Sequence, residues 1–451
     1  MTPQEQSSLQ GAAPSLVAAC KDCDLLHVIE PPLPGQLYEC DRCGATLASG
    51  SNNSIDRVLI LSLSGLLLYP PAMLLPLITL SSIGFTQEGN VIQSAVSFWH
   101  SGYYVVALMV FCSAIIFPFI KLILPFTLAL SLKLNRSNTF SKNSLKFLTH
   151  LEEWGMVEVY LLGILVTLIK ISGMASVTYD YGFFCFVGLV LLTMTTSVNL
   201  DRPLFWSRLD NTQHPSIAVR LPAIINTPRE RTVRSTALQY GMARCHQCGL
   251  LNPSPHMGSA SSCHRCHAPV HARTTQGMQW TWALVLTSFI LFFPANMLPI
   301  MQVDFLGVPQ RSTILDGILY FFKEGSYGIG LIILTASILV PLFKVVGMLI
   351  LLFTTQSGKN RFLKQKAGMF RFIKFIGRWS MLDIFVIALL TVLVDFGFFT
   401  SIHTAPAATY FTLVVISTMC AAIVFDPRLM WDRCAPLDNP TGEYHAIRGH
   451  P

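Results

Sequence analysis

The sequence contains little charge. Only 12% of its 451 residues are Asp, Glu, Lys or Arg, whereas 52% are hydrophobic. A soluble domain carries about a quarter charged residues, so this composition excludes a chain built only from water-soluble domains. The apolar residues are gathered in long runs, and a run of about twenty such residues crosses a bilayer as a helix. The sequence therefore predicts a multi-pass membrane protein.

Two further signals are missing. The first thirty residues are polar, include Cys20 and Cys23, and contain no cleavable signal peptide, which predicts that the N-terminus stays in the cytoplasm. The phosphate-binding pattern Gly-x4-Gly-Lys-Ser/Thr does not occur. We expect a protein that is not an enzyme. Any energy input is expected to come from a separate ATPase or from the proton gradient.

The chain repeats itself. Cys-Asp-Arg-Cys at 40–43 recurs as Cys-His-Arg-Cys at 263–266, and Pro-Phe-Ile-Lys at 118–121 recurs with the same offset as Pro-Leu-Phe-Lys at 341–344. Trp-Gly-Met-Val-Glu at 154–158 matches Trp-Ser-Met-Leu-Asp at 379–383, where the offset has grown by two positions. The matching motifs keep one spacing along the chain apart from a single two-residue change, so the sequence indicates a tandem duplication.

Each half contains four apolar stretches that are long enough, or nearly so, to cross a bilayer. They run near 56–80, 103–132, 155–172 and 182–200 in the first half, and near 279–302, 327–354, 379–397 and 405–425 in the second. A short loop joins the third and fourth stretches of each half, which predicts a helical hairpin. The first stretch holds two prolines, Pro71 and Pro76 or Pro294 and Pro299. Proline removes a backbone donor, so a broken helix is expected there.

Lysine and arginine are concentrated on one side of the predicted spans. They are numerous in the loop after the second span of each half and in the central linker, whereas only Arg311 and Lys323 occur on the opposite side. Since positively charged loops stay in the cytoplasm, both termini are predicted to be cytoplasmic. Four spans per half is an even number, so we expect parallel repeats related by an axis near the membrane normal.

A pair of Cys-x2-Cys motifs precedes each set of spans. Sixteen residues separate the motifs of the first pair and fourteen those of the second, a spacing that brings four thiolates into a tetrahedron suited to structural zinc. The alternative is a dithiol redox pair, but disulfides rarely persist in the cytoplasm. The predicted ligands of two zinc ions are Cys20, Cys23, Cys40, Cys43, Cys245, Cys248, Cys263 and Cys266.

These patterns divide the chain into five segments. Residues 1–54 form a tail and the first zinc ribbon, 55–205 the first transmembrane module, 206–278 a linker and the second ribbon, 279–432 the second module, and 433–451 a polar tail. The predicted fold class is an all-α polytopic membrane protein with two parallel tandem repeats of about four transmembrane helices, each preceded by a small zinc ribbon.

Ionisable residues within the spans are costly, and we treat them as candidates for transport or proton coupling. If the halves pack about a pseudo-twofold axis, the equivalent Lys170 and Asp395 are able to meet and exchange a proton; alternatively, both reach the membrane surface. Lys121 and Lys344 are likewise able to reach the membrane surface. For Glu158 and Asp383 the alternative is a favourable position of the carboxylate at a helix N-terminus. The candidates are Lys170, Asp395, Glu158, Asp383, Lys121 and Lys344.

The tandem ribbons, the prolines of the first spans, Trp-Ser-Met-Leu-Asp-Ile-Phe at 379–385 and Phe-Asp-Pro-Arg-Leu-Met-Trp-Asp at 425–432 together resemble the paraquat-inducible protein A family (PqiA, LetA). The resemblance implies a subunit of the inner membrane of Gram-negative bacteria. It also implies a partner with MCE domains that forms a tunnel across the periplasm, and movement of phospholipid between the inner and outer membranes.

Three other functions stay open at this point. A membrane thiol oxidoreductase would contain no zinc, a proton-coupled exporter of small compounds would work without a periplasmic partner, and a passive scaffold would tolerate every change to an intramembrane charge.

Overall fold

The structure is a computed structural model. It describes residues 16–29, 33, 35–50, 53–82, 85–135, 139–151, 154–171, 176–209, 236–254, 261–274, 276–305, 308–325, 327–358, 361–394 and 400–432. The described chain is mostly helical, with small antiparallel sheets at both ends of the helices.

The first half begins with four short strands and continues with helices of very different length. The strands are β1 (Leu16–Ala19), β2 (Leu26–Ile29), β3 (Leu37–Glu39) and β4 (Thr46–Ser49). The next elements are α1 (Ser54–Leu74), β5 (Ile78–Ser82), β6 (Phe85–Gly89), α2 (Val91–His100) and the long helix α3, made of Tyr104–Phe111, a π-helical turn at Cys112–Ile116 and Phe117–Lys133. The half ends with α4 (Thr139–Leu151), α5 (Val157–Ile171), β7 (Ser176–Tyr179), α6 (Tyr181–Asn199) and α7 (Arg202–Leu209).

The second half has the same order of elements. It contains β8 (Met242–Arg244), β9 (Leu251–Pro253), β10 (Ser261–Ser262), β11 (Pro269–Val270), α8 (Gly277–Met297), β12 (Met301–Phe305), β13 (Val308–Ser312), α9 (Ile314–Lys323) and the long helix α10, made of Tyr327–Leu334, a π-helical turn at Thr335–Leu339 and Val340–Gln356. It ends with α11 (Leu363–Ile376), a 3-10 turn (Gly377–Met381), α12 (Leu382–Leu393), β14 (Thr400–Thr404), α13 (Ala407–Val424) and α14 (Leu429–Asp432). Even the π-helical turn recurs at the offset of the sequence landmarks.

Seven helices of the described chain are long and apolar enough to cross a membrane. They are Ser54–Leu74, Tyr104–Lys133, Tyr181–Asn199, Gly277–Met297, Gly330–Gln356, Leu363–Leu393 and Ala407–Val424. The sixth is the continuous stretch of α11, the 3-10 turn and α12. The apolar helix Val157–Leu168 is shorter and corresponds to the predicted third span of the first half. The chain is therefore a multi-pass membrane protein.

The prediction of a helix broken at the prolines is confirmed for the second proline of each pair, because each helix passes the first proline and ends just before Pro76 or Pro299. Helix α1 runs through Pro70 and Pro71 and ends only at Leu74, and α8 likewise contains Pro294. The prolines lie close to the helix end, so few hydrogen bonds beyond them are disturbed. The chain then enters β5 or β12.

The prediction of an all-α fold missed two three-stranded sheets, with strand orders β6-β5-β7 and β13-β12-β14. Strand β7 lies between α5 and α6, where the sequence predicted only a short loop, and pairs with β5 through Leu80 opposite Val177. In β5, the apolar Ile78 and Leu80 are buried, and the polar Thr79 between them is partly exposed. This alternation is that of a strand with one buried face. This short signal merges with the apolar run of the preceding helix, which is why the sequence did not reveal it.

The halves meet along their third helices, α5 and α12. The rings of the repeat-equivalent residues Tyr160 and Phe385 contact each other edge to face, with centroids 5.2 Å apart. A Cβ atom on Gly163 would lie 3.1 Å from the Phe385 Cβ, so glycine allows the two backbones to approach closely. Within each half, α1 packs against α6 and α8 against α13.

We expect Gly182→Ala to destabilise the fold, because a Cβ at this position would overlap the main-chain oxygens of Leu75 and Pro76. Overpacking against backbone costs roughly 1–3 kcal/mol or more. In the matched control, Gly188→Ala in the same helix, the new Cβ meets only the end of the Leu68 side chain. Thermal unfolding in detergent measures both; an equal unfolding temperature for the two variants would contradict the expectation.

Candidate metal centres and membrane cavity

The four Cys-x2-Cys motifs fold into the same turn. In each, the first cysteine donates its N–H to the carbonyl five residues later, as from Cys20 to Leu25 at 2.9 Å, and its own carbonyl accepts from the residue four positions on. The residue four positions after the first cysteine has a positive φ in all four turns, a conformation that glycine adopts without strain. Gly44 and Gly249 satisfy this demand, and Asp24 and His267 tolerate it.

These turns bring the predicted ligands together in two groups. The Sγ atoms of each group of four all lie within 4.8 Å of one another. The distance is 3.5 Å between Cys20 and Cys43 and 3.4 Å between Cys23 and Cys40. Four thiolates bound to zinc at about 2.3 Å are roughly 3.8 Å apart. The donor set and its dimensions therefore fit a closed tetrahedral metal site.

A further polar group contacts the third cysteine of each cluster. His27 Nε2 lies 3.3 Å from Cys40 Sγ, and the amide nitrogen of Asn252 lies 3.6 Å from Cys263 Sγ. His27 and Asn252 occupy equivalent positions, each seven residues after the first cysteine of its ribbon. Such groups orient thiolate ligands and stabilise their charge. Sequence reasoning missed both, and their shared register is the signal that would have found them.

The clusters favour partial ionisation. Contacts with the neighbouring thiols, Cys20 first, raise the pKa of Cys23 and lower the pKa of Cys40. In the second cluster, contacts led by Cys245 raise the pKa of Cys248 and lower that of Cys263. A bound metal ion requires all four thiolates, so metal binding would release the protons that the raised pKa values retain.

We expect the purified chain to contain two zinc ions, one for each cluster. Cys20→Ser with Cys23→Ser is expected to leave one, because a closed site depends on all its thiolates. Elemental analysis by mass spectrometry measures this directly. A chain without metal in both the wild type and the variant would favour the redox alternative.

A cavity opens between α5, α9, α10 and α12. It is an open groove with about 680 Å³ of free space, part of which is open to the surroundings. Its walls are mostly apolar, with Ile314 and Phe321 from α9 and Ile333 from α10, and its few polar groups include Asp383 and Ser337. The Ser337 hydroxyl is fully buried and has no hydrogen-bond partner among the described residues. An apolar cavity with a few polar groups is the usual form of a small-molecule or lipid site.

The two halves differ where the cavity lies. In the first half, the Tyr160 hydroxyl donates to the Ser94 hydroxyl at 3.2 Å and joins α5 to α2. The second half has Phe385 and Gly317 at the equivalent positions, so this hydrogen bond cannot form. A Cβ atom on Gly317 would meet no atom within 4 Å. Gly317 therefore lines the cavity and leaves free space where a side chain would lie.

Two of the predicted transport residues make equivalent contacts. Lys121 Nζ donates to the main-chain oxygen of Gly155 at 2.8 Å, and Lys344 Nζ donates to the Ser380 hydroxyl at 3.2 Å. Only 1% of Lys344 is exposed. The alternative in which this lysine reaches the membrane surface is therefore wrong for Lys344. Ser380 stands three residues before the cavity-lining Asp383 in the chain, and neither Lys344 nor Ser380 lines the cavity itself.

The remaining candidates are placed less completely. Glu158 is half-buried in the first turn of α5 and does not line the cavity. Lys170 belongs to α5, but its side chain and the whole of Asp395 lie outside the described residues. The contact between these two residues stays a prediction.

The family model for paraquat-inducible protein A matches residues 55–210 and 278–435. These two segments contain both sets of helices and neither cysteine cluster. The chain belongs to the paraquat-inducible protein A family. This finding confirms the resemblance seen in the sequence.

Individual family members match over nearly their full length. The intermembrane transport protein PqiA of Escherichia coli is 31% identical over 418 residues, which cover 92% of this chain and 95% of that protein. The lipophilic envelope-spanning tunnel protein A of the same species is 33% identical over 413 residues, covering 92% and 90%. The probable intermembrane transport protein of Haemophilus influenzae is 28% identical over 421 residues, covering 93% and 96%. No solved structure matches the chain.

Proposed function

We propose that the chain is the inner-membrane subunit of an intermembrane lipid transport system and passes phospholipid to or from a periplasm-spanning tunnel protein with MCE domains. It acts without catalysing a reaction. Support comes from relatives that are named for intermembrane transport and for an envelope-spanning tunnel. The observation that carries the proposal is the cavity, whose apolar wall suits an acyl chain.

The proposed topology places both termini and both cysteine clusters in the cytoplasm. The two halves are then parallel repeats of four spans each, with Val157–Ile171 as the shortest of the first half, and the sheets containing β5 and β12 face the periplasm. Support comes from the repeated order of elements and from the basic residues of α4 and α11, which follow the long second helices. Zinc is the proposed occupant of both clusters.

The proposed coupling site is the group formed by Lys344, Ser380 and Asp383. The buried Lys344 ammonium donates to a hydroxyl rather than to a carboxylate, which is costly in an apolar environment. Ionisable residues buried within a membrane span commonly take part in transport. Proton uptake or release at this group would alter the charge beside the cavity and so change its affinity for lipid.

The test is transfer of a fluorescent phospholipid from vesicles that contain the chain to acceptor vesicles. We expect transfer only when the co-purified periplasmic partner is also present. A chain that exports small compounds without any partner, and transfers no lipid with one, would instead establish the exporter. Transfer that is unaffected by Lys344→Met and by Asp383→Asn would leave only the scaffold.

A further inference from the structure

The first cysteine cluster packs against the second half of the chain. The apolar cluster that includes Cys20, Cys23, Cys40 and Cys43 is completed by side chains of α8, α10, α11, α13 and α14, among them Leu351, Phe370 and Trp431. Strands β1–β4 precede the helices of the first half in sequence. The ribbon they form nevertheless lies on the helices of the other half.

The second cysteine cluster shows the reciprocal arrangement. Cys245, Cys263 and Cys266 share an apolar cluster with Val58 of α1, Leu128 of α3, Leu145 of α4 and Trp206 of α7. Gln247, between the cysteines of this ribbon, accepts a hydrogen bond from Thr149 at 2.7 Å and contacts His150 at 2.8 Å. Each ribbon thus docks on the module of the opposite half.

Ionic contacts fasten the first ribbon. Arg371 of α11 donates to the Asp22 carboxylate at 3.1 Å and to the main-chain oxygen of Cys43 at 2.8 Å. The guanidinium of Arg42 lies 4.4 Å from the centre of the Trp431 ring, a favourable cation–π distance. These contacts join both motifs of the ribbon to the second module.

The ribbons also contact each other. The Ala237 N–H donates to the Asp24 main-chain oxygen at 2.9 Å, and Leu25 pairs with Thr236. Arg273, which follows the second ribbon, binds the Asp24 carboxylate at 2.9 Å and the Asp432 carboxylate at 2.6 Å. Asp24 is 1% exposed and the Asp432 side chain 25% exposed, so this three-way contact between both ribbons and α14 is shielded from water at its Asp24 end.

We infer that the two ribbons are exchanged between the halves and act as a metal-dependent clasp, so that the metal-loaded first ribbon orders the second module and the metal-loaded second ribbon orders the first. A metal site contributes to folding through the segments that its ligands hold in place. Here those segments include the docking surfaces for the opposite module. Loss of metal from one ribbon therefore loosens the half that is distant in sequence.

Hydrogen exchange followed by mass spectrometry on the full chain in nanodiscs tests the clasp. With Cys20→Ser and Cys23→Ser, we expect faster amide exchange in α11 and α14 and unchanged exchange in α4 and α7. With Cys245→Ser and Cys248→Ser, α4 and α7 should exchange faster while α11 stays protected. Faster exchange only in the half that follows the altered ribbon, or no change in either half, would overturn the inference.

A second variant keeps every cysteine and therefore tests the inference even if the cysteine variants unfold completely. Arg371→Ala removes two contacts of the first ribbon and should leave the zinc content unchanged, while exchange rises in the first ribbon and in α11. Arg361→Ala, at an exposed position just before α11, is the matched control and should alter nothing. Equal exchange in these two variants would overturn the inference as well.

Discussion

Gly317→Trp is expected to abolish phospholipid transfer while leaving the protein folded. The position borders open space, since a Cβ there would meet no atom within 4 Å, and an indole would project into the cavity between α9, α10 and α12. Helix α9 should not suffer, because glycine is the weaker helix former. We expect transfer to fall by at least about tenfold, which is about 1.4 kcal/mol or more. Alanine and leucine at the same position should give graded, smaller losses.

The matched control is Gly328→Trp. A Cβ added to Gly328 would also meet no atom within 4 Å, and this residue is exposed at the start of α10 and does not line the cavity. Transfer should be retained. If both tryptophan variants transfer lipid at the wild-type rate, the cavity is not the lipid path; if both fail equally, the loss reflects the membrane-facing surface instead.

Lys344→Met is expected to separate stability from function. The lysine is buried against a hydroxyl partner, and replacing it with an apolar residue of similar length removes the cost of burying its polar head. We therefore expect unchanged or higher resistance to thermal unfolding together with loss of lipid transfer. A purely structural lysine would show the same stability with normal transfer.

Lys121→Met is the corresponding control in the first half. Lys121 is only half-buried, donates to the Gly155 main-chain oxygen, and does not line the cavity of the second half. Its replacement should preserve transfer. Equal loss of transfer in the two variants would mean that the lysines act as a symmetric pair, and that the second half has no special part in transport.

Local patterns made much of this molecule predictable. The four Cys-x2-Cys turns depend on hydrogen bonds within six residues, so spacing alone indicates that each set of four thiols meets. The duplication is equally visible, because the π-helical turns and the strands β5 and β6 recur at the offset of the sequence landmarks. The apolar runs predicted a multi-pass protein, since burial in lipid requires only length and composition.

Short or composite signals were less reliable. The prolines of the first span predicted a break but not its exact place, because α1 continues through Pro70 and Pro71 and ends only before Pro76. Strands of four or five residues were hidden at the ends of apolar helices, and they form only because β7 and β14 return from distant positions to pair with them.

Neighbours along the chain suffice to specify the two ribbons, the duplicated helices and the charged residues at matching positions. Long-range packing, by contrast, exchanges the ribbons between the halves, buries Lys344 against Ser380, and opens the cavity in the second half, where Gly317 stands in place of Ser94. These features depend on pairs distant in sequence, such as Arg371 with Asp22 and Tyr160 with Ser94. Equivalent positions in a duplicated chain are free to diverge, and the packing of the opposite half determines which of them becomes a site.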